Sequence, residues 1–416
     1  HIVIVGGGFA GLYAAKTLAR TQARITLVDK RNFHLFQPLL YQVATGNVAP
    51  GDVASSLRSV LSRYKNVRVL LGEMTDLVPE EHEILLTDGE LEYDTLIVAA
   101  GVWPHYFGHD EWLELTIPLK TVEDALGMRR QILSAFEAAE KETDPVRRRA
   151  WMTFVVVGGG SAGVELSGAL AELAHDTLRD DFRTIDPTAA QILLLEAADR
   201  LLPNFPPQLS AKAKNALIRL GVTVRTRSLV TGIAENQLSI GLGDAAEQIQ
   251  ARTILWTAGV RAAPLAQVLS DRTGVTLDRL GRVVVEPDLT LPGHPEIFVL
   301  GDLASYAHGL QGPLPAVAPV AIQQGQYAAR LIRARLEGSS LPQFRYRNRG
   351  MLAVIGLNQA VAHLGRFKFA GFVAWLLWVF VHIAYLIEFD NKVLVMFRWI
   401  WNYVTRKRGA RLITDL

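Results

Sequence analysis

Val3-Ile4-Val5-Gly6-Gly7-Gly8-Phe9-Ala10-Gly11-Leu12-Tyr13-Ala14 returns, almost residue for residue, as Val155-Val156-Val157-Gly158-Gly159-Gly160-Ser161-Ala162-Gly163-Val164-Glu165-Leu166. Each copy opens with an all-apolar run, the pattern of a strand buried on both faces, and continues into breaker-free helical spacing. Each is therefore strand, glycine turn, helix. In G-x-G-x-x-G the first glycine (Gly6, Gly158) makes the tight turn and the second (Gly8, Gly160) lets backbone approach a pyrophosphate. The third (Gly11, Gly163) lets helix pack on strand. Unpaired N–H groups at the helix start then face the phosphates. One such match alone reads as an ordinary tight turn; two in the same context point to two dinucleotide sites.

Working outward, an acid follows each motif at the end of the next apolar run. These are Asp29, with Lys30 beside it, after Ile25-Thr26-Leu27-Val28, and Glu196 after Ile192-Leu193-Leu194-Leu195. A carboxylate there accepts from ribose hydroxyls and repels a 2′-phosphate, so NADH is expected over NADPH. Leu96-Ile97-Val98-Ala99-Ala100-Gly101 and Thr253-Ile254-Leu255-Trp256-Thr257-Ala258-Gly259 read as further buried strands ending in small-residue turns. The fold class predicted is α/β, with two Rossmann-like dinucleotide-binding domains. Phe298-Val299-Leu300-Gly301-Asp302 offers either a carboxylate for a flavin ribityl chain or a strand-terminal turn. After it, Pro319 sits at the expected first position of a helix that runs on through the breaker-poor stretch 320–336, and whose start would favour the negative charge of a reduced flavin. Glu137 to Arg149 is a charged run ahead of the second strand, and its Arg147-Arg148-Arg149 reads as a solvated linker rather than a binding site.

Composition narrows the chemistry. A chain of 416 residues exceeds one core and suggests two or three units. Half of it is hydrophobic and 20% charged, so some surface should be apolar. A net charge of +2 excludes the basic field of a nucleic-acid binder. Cysteine is absent, which excludes disulfide relays, iron–sulfur ligation and thiolate metal sites, and leaves an organic redox cofactor. The sequence opens directly on a strand, with no basic leader or cleavable apolar run.

The glycine motifs with Gly301-Asp302 resemble two-dinucleotide-binding-domain flavoproteins of the glutathione-reductase-like type. The segment Arg31-Asn32-Phe33-His34-Leu35-Phe36-Gln37-Pro38-Leu39-Leu40-Tyr41-Gln42-Val43-Ala44 is similar to type II NADH:quinone oxidoreductases in particular, as is Gly409-Ala410-Arg411-Leu412-Ile413-Thr414. The resemblance covers essentially the whole chain. It implies FAD in the first domain (1–115 with 269–340), NADH in the second (116–268), and a monotopic anchor at 341–416. Hydride would pass from NADH to FAD and two electrons on to a membrane quinone, without proton pumping. Gly6, Gly8, Gly11, Asp29, Lys30, Ala100, Gly101, Gly301 and Asp302 would then hold FAD. Gly158, Gly160, Gly163, Glu196 and Gly259 would hold NADH. Glu165 matches the acid that the family places two residues after the last glycine of its second motif, near the isoalloxazine. The first copy has Tyr13 there, so the fold itself does not require an acid. An ordinary first-turn glutamate is the structural alternative. The family's quinone motif Ala-Gln-x-Ala-x-Gln corresponds to Ala318-Pro319-Val320-Ala321-Ile322-Gln323, with Pro319 replacing the first glutamine. Ala318 and Ala321 would let a flat ring approach, and Gln323 remains a possible donor.

From Ala370 to Ile387 no residue is charged, near the lower limit for a bilayer span. Trp375, Trp378, His382 and Tyr385 recur at helical steps, with Phe372, Leu376, Val379 and Ile383 elsewhere, which favours a helix lying in the interface. The next run places Leu394, Phe397, Ile400 and Val404 on one side and Arg398 and Asn402 on another. Basic residues without acids from Asn391 to Thr414 would meet anionic headgroups. A peripheral enzyme on the cytoplasmic face of a membrane is the expectation. A buried helix or a homodimer interface stays open for this region, and His382 reads as an interfacial side chain. Two rival functions also stay open: a soluble ferredoxin or rubredoxin reductase, and a non-catalytic NADH-sensing flavoprotein.

Overall fold

Ile2–Val5 and Thr153–Val157, the strands ahead of the two glycine turns, are buried at every residue. Each forms the middle of its own sheet. The computed structural model describes residues 1–241, 246–386, 389–405 and 408–413, in two units.

The first unit gathers His1–Leu35, Ala54–Trp103 and Val260–Asn348. Its sheet runs in the order Thr290–Leu291, His294–Val299, Thr95–Val98, Ile2–Val5, Ile25–Asp29, Val67–Leu71, parallel except for the first pair. Helix Phe9–Leu18 follows the first glycine turn, and helix Ala318–Leu336 packs on it. The approach is unusually close, because a Cβ on Gly325 would lie 2.2 Å from the Ala10 carbonyl oxygen. Helix Ala318–Leu336 begins one residue earlier than expected, so that Pro319 stands in its second position rather than its first, where no intrahelical N–H bond is lost.

The second unit gathers Phe36–Val53, Pro104–Gly259 and the chain from Arg349. Its parallel sheet has the order Ile117–Pro118, Thr253–Trp256, Thr153–Val157, Gln191–Leu195, Val222–Arg225. The strand that ends in the acid lies next to the glycine-motif strand, as it does in the first unit. An antiparallel sheet of Met351–Gly356, Gln359–Leu364 and Phe367–Gly371 completes this unit with helices Phe372–Tyr385 and Phe389–Thr405.

Two readings of the sequence change. The expected linker at Arg147-Arg148-Arg149 is helix Pro145–Trp151, because the Asp144 side chain accepts from Val146 N (2.8 Å) and Arg147 N (2.9 Å) and Pro145 is pre-set for the first turn. Arg147 and Arg149 are exposed on it. The uncharged run from Ala370 is also not one helix. Ala370 and Gly371 finish a strand, and Gly371, at φ +79°, turns the chain into helix Phe372–Tyr385. Among the described residues no helix is long and apolar enough to cross a membrane.

Replacing a mid-helix glycine by alanine ordinarily stabilises by about 1 kcal/mol. Gly325→Ala should do the opposite, lowering stability by about 1–3 kcal/mol through overpacking against Ala10. Gly312→Ala, with nothing within 4 Å of the added methyl, should change little. Thermal unfolding of the two variants side by side checks this.

Candidate functional site

The two glycine turns have the same geometry. Gly6 (φ +103°) and Gly158 (φ +108°) adopt conformations that L side chains rarely take, and a Cβ on either would meet neighbouring backbone, at Ala99 and Ala258. On Gly11 or Gly163 a Cβ would fall within 2 Å of the turn's own carbonyl, at Gly6 or Gly158, so these glycines let each helix close on its strand. Gly8 and Gly160 differ. Nothing lies within 4 Å of a Cβ placed on either, and each is the N-cap of its helix with no side-chain cap. Open space in front of uncapped helix N–H groups, at the carboxyl ends of parallel strands, is a cradle suited to a pyrophosphate.

Both acids reach back into these loops. Asp29 accepts from Gly7 N (2.5 Å) and Arg31 N (2.6 Å), and Glu196 from Gly159 N (2.6 Å) and Ala198 N (2.7 Å). Burial raises the Asp29 carboxyl above its usual range, opposed by these backbone hydrogen bonds. Each carboxylate therefore shapes its glycine loop and keeps lone pairs for a ribose.

Around the first cradle, Lys30 Nζ bonds Glu73 (2.9 Å) and lies 5.3 Å from the centre of the Trp103 ring. Gly101 (φ +73°) has open space where a Cβ would be, next to half-buried Ala100. Gly301 (φ +71°) opens a short turn containing half-buried Asp302, and its N–H donates to the buried Gln324 Oε1 at 2.6 Å. The sequence reading passed over Gln324. It also passed over the chemistry of His34, a buried imidazole whose Nδ1 pairs with Gly7 O (2.9 Å) and whose Nε2 has no hydrogen-bond partner among the described residues. Burial lowers its pKa to about 4, so it is neutral. An orphaned buried nitrogen beside the glycine loop adds to the fit of this unit for a large polar cofactor such as FAD. In the second unit, a Cβ on Gly259 (φ +70°) would meet the exposed Phe107 ring at 2.5 Å.

The quinone-motif residues all lie in the first turns of helix Ala318–Leu336. Ala318 and Pro319 are half-buried and Ala321 is buried. A Cβ on Gly301 would lie 3.5 Å from that of Ala321, so helix packing is a second reason for a small residue there. Gln323 is engaged at both ends, since its Nε2 donates to Arg347 O (3.0 Å) and its Oε1 accepts from Arg347 N (3.0 Å).

Glu165 is the outlier in electrostatics. A Cβ on Gly168, in the same helix Ser161–Glu172, would lie only 1.6 Å from Ile355 O, so strand Met351–Gly356 lies directly on that helix. Val354 N thereby comes 3.4 Å from Glu165 Oε1, and the residue is 8% exposed. Burial pushes its pKa up to about 8, offset in part by Val354 N–H and the nearby Trp378 indole. The site thus holds a carboxylic acid that is protonated at neutral pH.

The C-terminal helices pair through Trp378 and Trp399 (5.2 Å between ring centres) and point Phe372, Val373, Leu376 and Phe380, with Leu394, Phe397, Ile400 and Trp401, outward. Trp378, expected on the interfacial face, is buried instead. The Arg398, Arg408 and Arg411 charges assigned to headgroups are taken up by Asp52, Glu172 and Asp181, acids far away in sequence that folding brings to them. The side-chain readings for Asn402 and Val404 fall outside the described residues.

The family model for pyridine nucleotide-disulphide oxidoreductases matches residues 1–325, and that for the NDH2 C-terminal domain matches residues 348–407. The type II NADH:quinone oxidoreductase NdhA of Mycobacterium tuberculosis is 44% identical over all of this chain and 89% of its own length. The chain belongs to the type II NADH:quinone oxidoreductase family. A second relative in that organism, the type II NADH:quinone oxidoreductase Ndh, is 42% identical over the whole chain and 90% of its own length. In fold, the chain is similar to NDH2 from Plasmodium falciparum in complex with NADH, with a TM-score of 0.89, 20% identity and coverage of 100% and 99%. The sulfide:quinone oxidoreductase from Aquifex aeolicus shares the fold at a TM-score of 0.72 and 15% identity, over 100% and 92%. This type II chain carries the same fold without a cysteine.

Because the folded state holds the Glu165 proton more tightly than the unfolded chain, its contribution to stability is full below about pH 4.5 and lost as pH rises through about 8. Glu165→Gln, which cannot ionise, should therefore gain on the native protein progressively over that window, levelling above pH 8 at a difference on the order of 5 kcal/mol. Denaturant unfolding at pH 5, 7 and 9 measures it; a difference independent of pH would refute the assignment.

Proposed function

We propose that this chain is a membrane-surface enzyme that oxidises NADH and reduces a quinone through FAD, without pumping protons. The observation that carries this reading is the pair of open, uncapped glycine cradles, each with an acid gripping its loop, in one polypeptide that has no thiol to divert electrons. The first domain, 1–115 with 269–340, holds FAD through Gly6, Gly8, Gly11, Asp29, Lys30, Ala100, Gly101, Gly301 and Asp302. The second, 116–268, holds NADH through Gly158, Gly160, Gly163, Glu196 and Gly259. Bound in its cradle, FAD supplies the two-electron couple that links a hydride donor to a quinone.

The chain's own residues orient, discriminate and manage protons. Glu196 meets the NADH ribose as an acceptor and repels a 2′-phosphate. Ala318, Pro319 and Ala321 present a flat, small-residue surface to a quinone ring, and Gln323 can donate to it by exchanging its bonds to Arg347. Net turnover is NADH + H⁺ + quinone → NAD⁺ + quinol, which consumes one proton. Glu165, neutral at pH 7, is fitted to hold that proton. The relatives in Mycobacterium tuberculosis are themselves named for NADH and quinone.

Region 341–416 docks the enzyme onto lipid as a peripheral protein, on the cytoplasmic face where NADH is supplied. The outward apolar side chains of the two C-terminal helices support this, and they, rather than the ion-paired arginines, supply the binding energy. The competing occupant of this surface is a second copy of the chain in a homodimer.

Steady-state oxidation of NADH and NADPH against a soluble quinone analogue tests donor and acceptor together. NADH should be strongly preferred, and Glu196→Ser should narrow the preference by about tenfold, roughly 1.4 kcal/mol. Protein that purifies without flavin and takes up none on reconstitution would end this reading. Phe380→Glu with Phe397→Glu should abolish flotation with lipid vesicles while leaving turnover of the soluble analogue intact. Flotation unchanged, with a dimer dissociated instead, would assign the surface to self-association.

A further inference from the structure

Tyr106-Phe107-Gly108-His109 is a tight turn, closed by His109 N–H donating to Tyr106 O at 3.0 Å. Both central residues have positive φ, +55° at Phe107 and +95° at Gly108, the signature of a type I′ turn. Asparagine, aspartate and glycine suit the first of these positions, and a bulky aromatic residue does not. Nor does burial reward the ring, since Phe107 is 59% exposed. Two residues earlier, the buried His105 Nδ1 has no hydrogen-bond partner among the described residues, and the His105 and Phe107 ring centres are 4.5 Å apart. A left-handed aromatic residue held in water beside an unpaired buried nitrogen is the kind of strain that persists where a ligand makes use of it.

The turn is nonetheless firmly anchored. Tyr106 stacks on Trp256, with 5.0 Å between ring centres and 27° between planes, and His109 stacks on Trp112 at 4.2 Å and 6°. Trp112 in turn lies edge-on to Trp256 at 5.7 Å. Trp256 Nε1 donates to His105 O (3.1 Å), and His105 N donates to Gly259 O (3.3 Å). The anchors converge on the carboxyl end of strand Thr253–Trp256. There Gly259, at φ +70°, leaves to the Phe107 ring the space that its own Cβ would fill.

Strand order says which part of a dinucleotide reaches this point. The strand that ends in Glu196 lies on one side of Thr153–Val157, and Thr253–Trp256 lies on the other. On the NADH-binding reading proposed above, on which this inference rests, Glu196 marks the adenosine ribose and the turn at Gly158–Gly160 marks the pyrophosphate. The remaining half, nicotinamide with its ribose, therefore extends over the end of Thr253–Trp256. That strand end touches the glycine turn directly, because a Cβ on Gly158 would lie 2.8 Å from Ala258. Phe107 stands over the very next residue.

We propose that Phe107 is the platform against which the nicotinamide half of NADH packs, held out into solvent by a turn whose backbone it does not itself favour. The faces of a nicotinamide ring are flat and apolar, and contact between two such rings gains more than the area it buries. The platform orients the ring that carries the hydride, while Glu196 and the glycine turn hold the rest of the molecule.

Calorimetric titration of the full chain with NAD⁺ and with ADP-ribose tests this, because ADP-ribose keeps the adenosine, the pyrophosphate and the second ribose but lacks the nicotinamide. Phe107→Ala and Phe107→Asn should each bind NAD⁺ about fivefold more weakly while holding ADP-ribose to within about twofold of the native protein. Asparagine suits the left-handed position, so Phe107→Asn should also unfold within a few degrees of the native protein, which separates lost contact from lost structure. Phe107→Tyr, which keeps the ring, should bind NAD⁺ as the native protein does. Equal weakening of both ligands, or NAD⁺ binding unchanged in Phe107→Ala, would overturn the platform alone. A native protein that binds neither ligand would overturn the NADH reading of the second cradle, and the platform with it.

Discussion

The contact on which the second unit's chemistry depends is the one at Gly168, where strand Met351–Gly356 comes so near helix Ser161–Glu172 that no side chain fits between them. That contact takes Glu165 out of water. An acid at this position, the fifth residue of the helix and so past its first turn, would be charged at neutral pH if it were left open to water. Covered by the added sheet, with Val354 N and the Trp378 indole beside it, it holds its proton more tightly than it would in water. The C-terminal region thus does more than offer an apolar surface, because it changes the protonation state of a residue in the preceding domain.

The two copies of the glycine motif show what is fixed by backbone and what is free. Turn, close approach and helix packing repeat to within a few degrees at Gly6 and Gly158 and in the tight closure at Gly11 and Gly163. The position two residues after the last glycine does not repeat. Tyr13 is half-buried in the first copy, whereas Glu165 is buried against the C-terminal sheet in the second. Steric demands copied the frame, and chemistry distinguishes the two helices.

Much of this was legible in the sequence because it is local. A strand buried on both faces, a glycine turn and an acid at the next strand end each leave a periodicity or a spacing that needs no knowledge of distant partners. The Asp144–Pro145 helix start was legible too, as an N-cap acid followed by proline, and reading the arginines after it as a linker overlooked that cap. What the sequence hid is long-range. Arg398, Arg408 and Arg411 look like an unopposed basic tail until folding supplies Asp52, Glu172 and Asp181. Gln324 looks no different from Gln323 until the helix turns one inward to Gly301 and the other to the backbone of Arg347.

The redistribution of those arginines alters the argument about the membrane. A basic cluster free to meet anionic lipid would make docking sensitive to salt, since exposed charges are screened beyond roughly 10 Å at 0.1 M. Arginines already paired with carboxylates lack that freedom, and exchanging an existing partner for a headgroup gains little. The outward phenylalanines, leucines and Trp401 have no such competing partner, and their transfer into lipid scales with area at about 25 cal/mol per Å². Docking driven by these side chains should persist at high ionic strength and depend only weakly on headgroup charge. The ion pairs, meanwhile, tie the second C-terminal helix and the tail to the rest of the unit that contains Glu165.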